Sequence, residues 1–489
     1  MKERAHTSSF QTLLFMIGLF LSALSVAMVA PGLLDWLHDD INWVAFATAM
    51  PVTAFAGLLL AFAYRPSTQA PTLSLRDTFL LTVFSWLFIS FFAALPFLFS
   101  NSTTNPTDAF FEAISGLTTT GATVMTGIDY ASPGVILWRA LLQWLGGIGI
   151  VVMALTVMPM LRIGGMQLFR SEFSDRSEKI LPKVSQISGS LISVYVGLTL
   201  LCTLLLMLCG VKPLEAVCHA FSTVSTGGYA TSHTSIAYFD NVGVECVLML
   251  FMLAGSVTLM LFVRTVKGDP LALFKDTQVR TFLSITTIAI LFLTLWRNSQ
   301  GVPLPSALRE VSFHTVSLIT STGFVTTDYS LWGAFPIMVF FVLMQIGGCT
   351  GSTAGGIKIL RYQIVAALVR TQLAHVRRPH GIFIPRYNGK PIPEGVFMSV
   401  FVFMGLYVIS LGVLALSLGL FNLDFVTCIS GAVSALNNMG PGFGAVIGPM
   451  DTFADLPTGA KWCLMAGMLL GRLEFVTVFV IFSARFWKA

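Results

Sequence analysis

Apolar runs of twenty or more residues recur along the whole chain, and they restrict its fold more than any other feature. They lie near 10–34, 42–63, 77–99, 134–161, 187–210, 241–263, 281–297, 333–375 (interrupted), 396–420 and 458–484. A helix needs about 20 apolar residues to cross about 30 Å of hydrocarbon, so these read as ten membrane spans. Only 10% of the residues are charged, against about 25% in a soluble domain, so the chain cannot clothe a water-facing surface of normal size. The first run is too long, and too closely followed by others, for a cleaved signal peptide. The seven cysteines stand singly, with no CxxC and no Cys/His cluster, which argues against a disulfide framework and a zinc site.

Between the spans sit four shorter apolar stretches, near 107–120, 213–226, 307–322 and 424–438. Each is too short to cross as a helix but long enough to enter and return, which the bilayer tolerates only where backbone is buried in protein or lines a water-filled cavity. A cytoplasmic N-terminus puts 22 of the 28 Lys and Arg inside and five outside (Arg139, Lys212, Arg297, Arg309 and Lys461), with Arg472 within a span. The positive-inside rule favours that orientation, with the C-terminus also cytoplasmic and all four short stretches outside.

The short stretches form an internal repeat. They end in Leu117-Thr-Thr-Thr-Gly-Ala-Thr123, Val224-Ser-Thr-Gly-Gly-Tyr229, Ile319-Thr-Ser-Thr-Gly-Phe-Val325 and Leu436-Asn-Asn-Met-Gly-Pro-Gly442. With Gly121, Gly227, Gly323 and Gly440 taken as equivalent, the intervals are 106, 96 and 117 residues. Repeats of this length, each holding a span, a re-entrant stretch and a span, suggest four copies of one module about a central axis. The expected fold is an all-α polytopic membrane protein. Its parts are a two-helix extension (1–70) and pore repeats at 71–183, 184–275, 276–392 and 393–489.

A dehydrated cation needs oxygen ligands, and a tight ring of backbone carbonyls supplies them without fixed charge. Glycine tolerates the backbone angles such a ring demands. Candidate filter residues are Thr119, Thr120 and Gly121; Ser225, Thr226 and Gly227; Ser321, Thr322 and Gly323; and Asn438, Met439 and Gly440. Taken singly, each loop also reads as an ordinary helix C-cap. Four at matching positions on one side favour a cation pore.

The filters, with Trp144-Leu-Gly-Gly-Ile-Gly149, Leu161-Arg-Ile-Gly-Gly-Met-Gln167 and Gly347-Gly-Cys-Thr-Gly-Ser-Thr-Ala-Gly-Gly-Ile-Lys358, resemble the Trk/Ktr/HKT superfamily of potassium transporters over nearly the whole chain. The match is closest to its bacterial TrkH branch, which shares the two extra N-terminal spans. The resemblance implies potassium uptake across the bacterial cytoplasmic (inner) membrane, with K+ as the transported ion, no covalent cofactor and no enzymatic activity. Glycine at all four filter positions goes with potassium selectivity in that family, although Asn438-Met-Gly-Pro departs from the Thr/Ser pattern and points to looser selectivity. A homodimer and a separate cytosolic, TrkA-like ring of nucleotide-binding subunits are implied partners. No nucleotide-binding or nucleic-acid-binding motif occurs here.

Two features bear on gating. The eighth run is broken by glycines at 347, 348, 351, 355 and 356, poor helix sequence by about 1 kcal/mol each. A break at that depth needs shelter, most simply in the pore beneath the filter; a kinked helix is the alternative. The resemblance likewise implies an obstructing intramembrane loop built on Gly347, Gly348, Gly351, Gly355 and Gly356, with Arg472 beside it. A buried arginine costs at least ~2.5 kcal/mol on insertion scales, so Arg472 should face the pore or a partner unless it snorkels to the inner interface. Glu474, two residues on, lies on another helix face and is not expected to pair with it.

Fourteen acidic residues fall outside, among them Asp129, Asp240, Asp328 and Asp451 after the filters; they would enrich cations at the mouth, though most read as solvated surface. His219 and His314 read as hydrogen-bonded helix residues rather than metal ligands. The basic inner loop near 375–395 suits either anionic lipid headgroups or the cytosolic partner. A membrane enzyme is disfavoured, because Arg472 and Glu474 are nearly the only ionisable groups expected at depth. Channel and ion-coupled symporter would share fold and filter alike.

Overall fold

A computed structural model describes residues 2–65, 74–100, 102–103, 105–156 and 184–488. The Leu161–Gln167 motif, the basic residues of 162–183 and the expected repeat boundaries near 70 and 183 lie outside the described residues. The described residues are helical, apart from loops and a short hairpin, Arg386–Tyr387 against Lys390–Pro391.

Seven described helices are long and apolar enough to cross a membrane, and two further pairs bent by 97° and 111° raise the number to nine. The remaining run, 333–375, is two helices, Ala334–Leu343 and Ile359–Arg377, with irregular chain between them.

Each expected repeat holds a leading helix, a short helix at the expected re-entrant stretch, labelled the pore helix below, and a trailing helix. The pore helices are Pro106–Leu117, Pro213–Val224, Leu304–Ile319 and Phe425–Asn437, of 12, 12, 16 and 13 residues. At 1.5 Å per residue they reach about 18–24 Å, too short to span. Their starts are locally encoded. Asn105 accepts from the Asp108 amide and Asp424 from the Thr427 amide, and proline occupies the first turn of the first three helices.

Two spans expected to be continuous are broken. The second trailing helix stops at Ser256 and resumes at Leu259; the fourth stops at Arg472 and resumes at Phe475, with Glu474 at φ +61°. The first break opens where the glycine-rich segment of repeat three packs against it. The freed carbonyls of Gly255 and Ser256 accept from the Thr353 and Cys349 amides at 3.1 and 2.8 Å. Two irregular segments thereby satisfy each other's backbone at a depth where water cannot.

The extension comprises Lys2–Ala27 with Val29–Leu37, and Trp43–Ala63. Its long helices touch backbone to backbone at Gly18 and Gly57, where an added Cβ would meet the opposing main chain. Buried Asp35 accepts from Ser132 Oγ (2.9 Å) and the Gly134 amide (2.5 Å), locking the extension onto the first trailing helix, Pro133–Thr156.

A candidate ion pathway of four loops and a glycine-rich barrier

The pore helices all end in the same way. Within two residues of each helix end the chain turns left-handed: at Thr119, Thr226 and Ser321, two residues on, and at Asn438, one residue on, with φ 52°, 54°, 56° and 51°. The next amide bonds back to a pore-helix serine carbonyl: Thr120 to Ser115, Gly227 to Ser222, Thr322 to Ser317 and Met439 to Ser434, at 2.7–3.1 Å. Two residues beyond the left-handed position comes glycine, again at positive φ: Gly121 (84°), Gly228 (84°), Gly323 (87°) and Gly440 (89°). The C-cap and filter readings thus describe the same backbone: a Schellman-like cap continued into a second left-handed step. The first step is taken by non-glycine residues, at about 1–3 kcal/mol each, a strain typical of functional sites.

This geometry corrects the register of the second loop. Gly228, not Gly227, is the counterpart of Gly121, Gly323 and Gly440, so the true intervals are 107, 95 and 117 residues. Gly227 matches Thr120, Thr322 and Met439. Ser225, expected in the filter, falls in the helix-capping turn, where its hydroxyl donates to Phe221 O at 2.7 Å. The signal was present in the chain: a serine stands six residues before each glycine, at Ser115, Ser222, Ser317 and Ser434.

The four loops close a ring. An added Cβ at Gly121 would meet the Gly227 carbonyl oxygen, at Gly228 that of Thr322, at Gly323 that of Met439, and at Gly440 that of Thr120. Each loop's glycine thus faces the preceding-position carbonyl of the next loop, in cyclic order back to the first. Asn438 ties the fourth loop to the first, donating to Thr120 Oγ1 at 3.1 Å and to Met468 O at 2.8 Å. A concave mouth lies over the ring, lined by all four of these glycines and by Asp451.

Most of the acidic residues expected outside do not line that mouth. Glu112 is buried and accepts from Arg139 Nε at 2.7 Å, from Thr123 Oγ1 and from the Val124 amide at 3.0 Å. Asp108 is buried against Lys461 Nζ at 2.7 Å. Asp240 and Glu245 hold Arg309 at 2.9 and 2.8 Å, and Asp328 caps a turn through the Ser330 amide. Asp129 is exposed and accepts from the His233 amide. Of the four aspartates singled out, Asp451 alone lines the mouth among the described residues. His219 and His314 each bond the carbonyl four residues back at 2.8 Å, and His314 Nε2 also accepts from the Thr326 amide at 3.2 Å.

On the opposite end of the ring, 344–358 is non-helical. Gly351 and Gly356 sit at φ +76° and +69°. Gly347, Gly348 and Gly355 let main chains touch: a Cβ would strike Gly355 O, Ser256 O and Asn437 O respectively. The Gly355 amide donates to Ser321 Oγ at 2.6 Å. Thr353, which sequence reasoning passed over, is the anchor. Its hydroxyl shares its one proton between Val224 O and Gly255 O, both at 2.9 Å. The segment therefore abuts the pore-helix ends and loops of repeats two, three and four directly beneath the ring.

Arg472 reaches this segment. It is buried, donating from Nη1 to Thr353 O at 3.0 Å and from Nη2 to Gly146 O at 3.3 Å. Among the described residues it makes no ion pair. Glu474 pairs instead with Arg361, which also lies 3.6 Å from the Phe403 ring centroid. Arg361 and Lys358, counted by sequence with the inner basic cluster, are thus pulled inward: Arg361 is buried and Lys358 Nζ donates to Ala354 O. Arg472 and Glu474 are accordingly not the only ionisable groups at depth.

The family model "TrkH: Cation transport protein" matches residues 44–489. The Trk system potassium uptake protein TrkI of Halomonas elongata is 40% identical over 95% of this chain and 94% of its own length. The TrkH protein of Vibrio parahaemolyticus is 34% identical over 98% of this chain and 100% of its own. The crystal structure of the potassium transporter TrkH from Vibrio parahaemolyticus superimposes with a TM-score of 0.88 at 32% identity, covering 98% of this chain and 99% of that one. A helical, multi-pass chain with this match along nearly its whole length belongs to the TrkH family of cation transport proteins.

Proposed function

We propose that this protein takes up potassium ions across the cytoplasmic membrane through the four-loop ring. The filter comprises 119–121, 226–228, 321–323 and 438–440, and its glycines leave room for backbone carbonyls to replace the hydration shell. The observation that carries the reading is the closed cycle of glycine against neighbouring carbonyl, which brings four loops, about a hundred residues apart in sequence, to one axis. The relatives' printed names, potassium uptake proteins of the Trk system, support K+ as the ion.

In this reading the mouth faces outward, both termini are cytoplasmic, and 347–356 obstructs the path below the filter, held by Arg472 and Thr353. The basic end of Ile359–Arg377 and the Arg386–Pro391 hairpin offer a cationic surface for a cytosolic nucleotide-binding ring beneath a homodimer, or for anionic lipid. Purified protein in proteoliposomes tests the function: K+ influx should exceed Na+ influx. Imposed proton or sodium gradients separate conduction from symport, since only a symporter is driven by them. Equal influx of both ions, or none with or without gradients, would overturn the reading.

A further inference from the structure

Gln143 lies in the first trailing helix, fully buried, against the second filter loop. Its Nε2 donates to Gly227 O at 2.7 Å, and its Oε1 accepts from the Tyr229 amide at 3.1 Å. The two bonds bracket Gly228. They also fix the orientation of the amide, because a carbonyl requires a donor and an N–H an acceptor. Gly227 is itself required there, since a Cβ would strike the Gln143 amide group. The Gly227 carbonyl is the one that packs against Gly121 in the ring.

The contact breaks the fourfold pattern. The trailing helices of repeats one, two and four align on glycines pressed against pore-helix carbonyls: Gly146 on Leu117 O, Gly255 on Val224 O and Gly471 on Leu436 O. Three residues before these stand Gln143, Met252 and Met468, all buried. Methionine offers the neighbouring loop no N–H donor, so among these three repeats only the first clamps its neighbour, the second loop, in this way.

We propose that Gln143 is a positioning residue for ion selection, holding the 227–228 peptide of the second loop in one orientation so that the ring keeps a fixed set of carbonyls. The inference rests on the filter reading above. A free peptide plane could turn its oxygen away from the ring, and a ring that adjusts discriminates ions less sharply.

The test compares Gln143→Met, which copies repeats two and four, with Gln143→Leu, which likewise removes both the donor to Gly227 and the acceptor for Tyr229 but with a different side-chain shape. Gly228→Ala serves as a filter control. Two readouts are used: Na+ competition against rubidium influx in proteoliposomes, and the difference in melting temperature between K+ and Na+, which reports ion binding by linkage. Both Gln143 variants should lose about tenfold in K+ over Na+ preference, the change made by a hydrogen bond worth 1.4 kcal/mol. Their K+-minus-Na+ melting difference should shrink, over and above any fall in melting temperature common to both salts. Parent-like discrimination in both variants, with discrimination lost in Gly228→Ala, overturns the role of Gln143 alone. Discrimination kept in all three overturns the filter reading itself. Equal destabilisation in both salts, or failure of both variants to fold, assigns Gln143 to folding and overturns the proposal.

Discussion

Removing the Arg472 side chain should open the path without altering which ion passes. Its guanidinium joins two parts of the molecule, Thr353 O in the glycine-rich segment and Gly146 O in the first trailing helix, at 3.0 and 3.3 Å. If the segment moves aside to let ions through, the bond to Thr353 is the one lost, while Gly146 keeps the arginine in place. Hydrogen bonds to charged groups contribute about 1.5–3 kcal/mol. Arg472→Ala should therefore shift the open-to-closed ratio by about 10- to 150-fold. The flux gain saturates once the open form predominates, so a mostly closed parent shows the whole effect. Removing an uncompensated buried cation next to the path also lowers the barrier to a passing ion, in the same direction. Arg472→Lys keeps the charge but not the planar fork, and should fall between. Rubidium influx into proteoliposomes, with a matched Na+ competition series, measures both quantities. Parent-like flux in a folded Ala variant would refute the argument. Higher flux with K+ preference lost would place Arg472 at the filter instead.

Further outcomes follow from the same contacts. Thr353→Val removes the shared hydroxyl bond with little change of side-chain shape and should raise basal flux about two- to tenfold, as should a short deletion within 347–356 that preserves the size-exclusion profile; flux at or below the parent level would sink the barrier assignment. Gly121→Ser and Gly228→Ala each place a side chain against a neighbouring carbonyl and should lower the K+ over Na+ flux ratio; an unchanged ratio would remove that loop from the filter. Glu112→Ala strands buried Arg139 and should cost about 3–5 kcal/mol, read as a large drop in melting temperature; a drop within error would mean the pair is not buried as described. Asp451→Asn should weaken K+ capture about two- to fivefold at low ionic strength and hardly at all in high salt; a salt-independent change would count against a screened, exposed charge.

The long apolar helices, the four short ones between them and the glycine-rich break were legible because the bilayer forces them into composition: about twenty apolar residues are needed to cross, twelve are too few, and five glycines in ten residues do not make helix. That Arg472 must face the pore or a partner was legible for the same reason; its place beside that break was implied only by the family resemblance. The register of the second loop was not, because Gly227 and Gly228 are adjacent and only the serine six residues upstream separates them. The breaks at Ser256 and Arg472 were hidden as well: Val257-Thr258 and Leu473-Glu474 carry neither proline nor glycine, and the helices part there because distant backbone takes over the freed carbonyls or because Glu474 turns to reach Arg361. Charged residues placed by sequence at the surface proved buried in pairs, Arg139 with Glu112 and Lys461 with Asp108, the second joined across 353 positions. No local pattern announces such a pair.

The central claim is that the ion sits among the carbonyls of four covalently linked loops. Anomalous diffraction from crystals soaked in thallium or rubidium locates the ion directly. The account predicts a peak on the axis of the ring, between the loops carrying Gly121, Gly228, Gly323 and Gly440, that weakens when excess K+ is added and is lost in Gly228→Ala. Ions bound only in the mouth near Asp451, with the ring empty in a protein that transports K+, would contradict it.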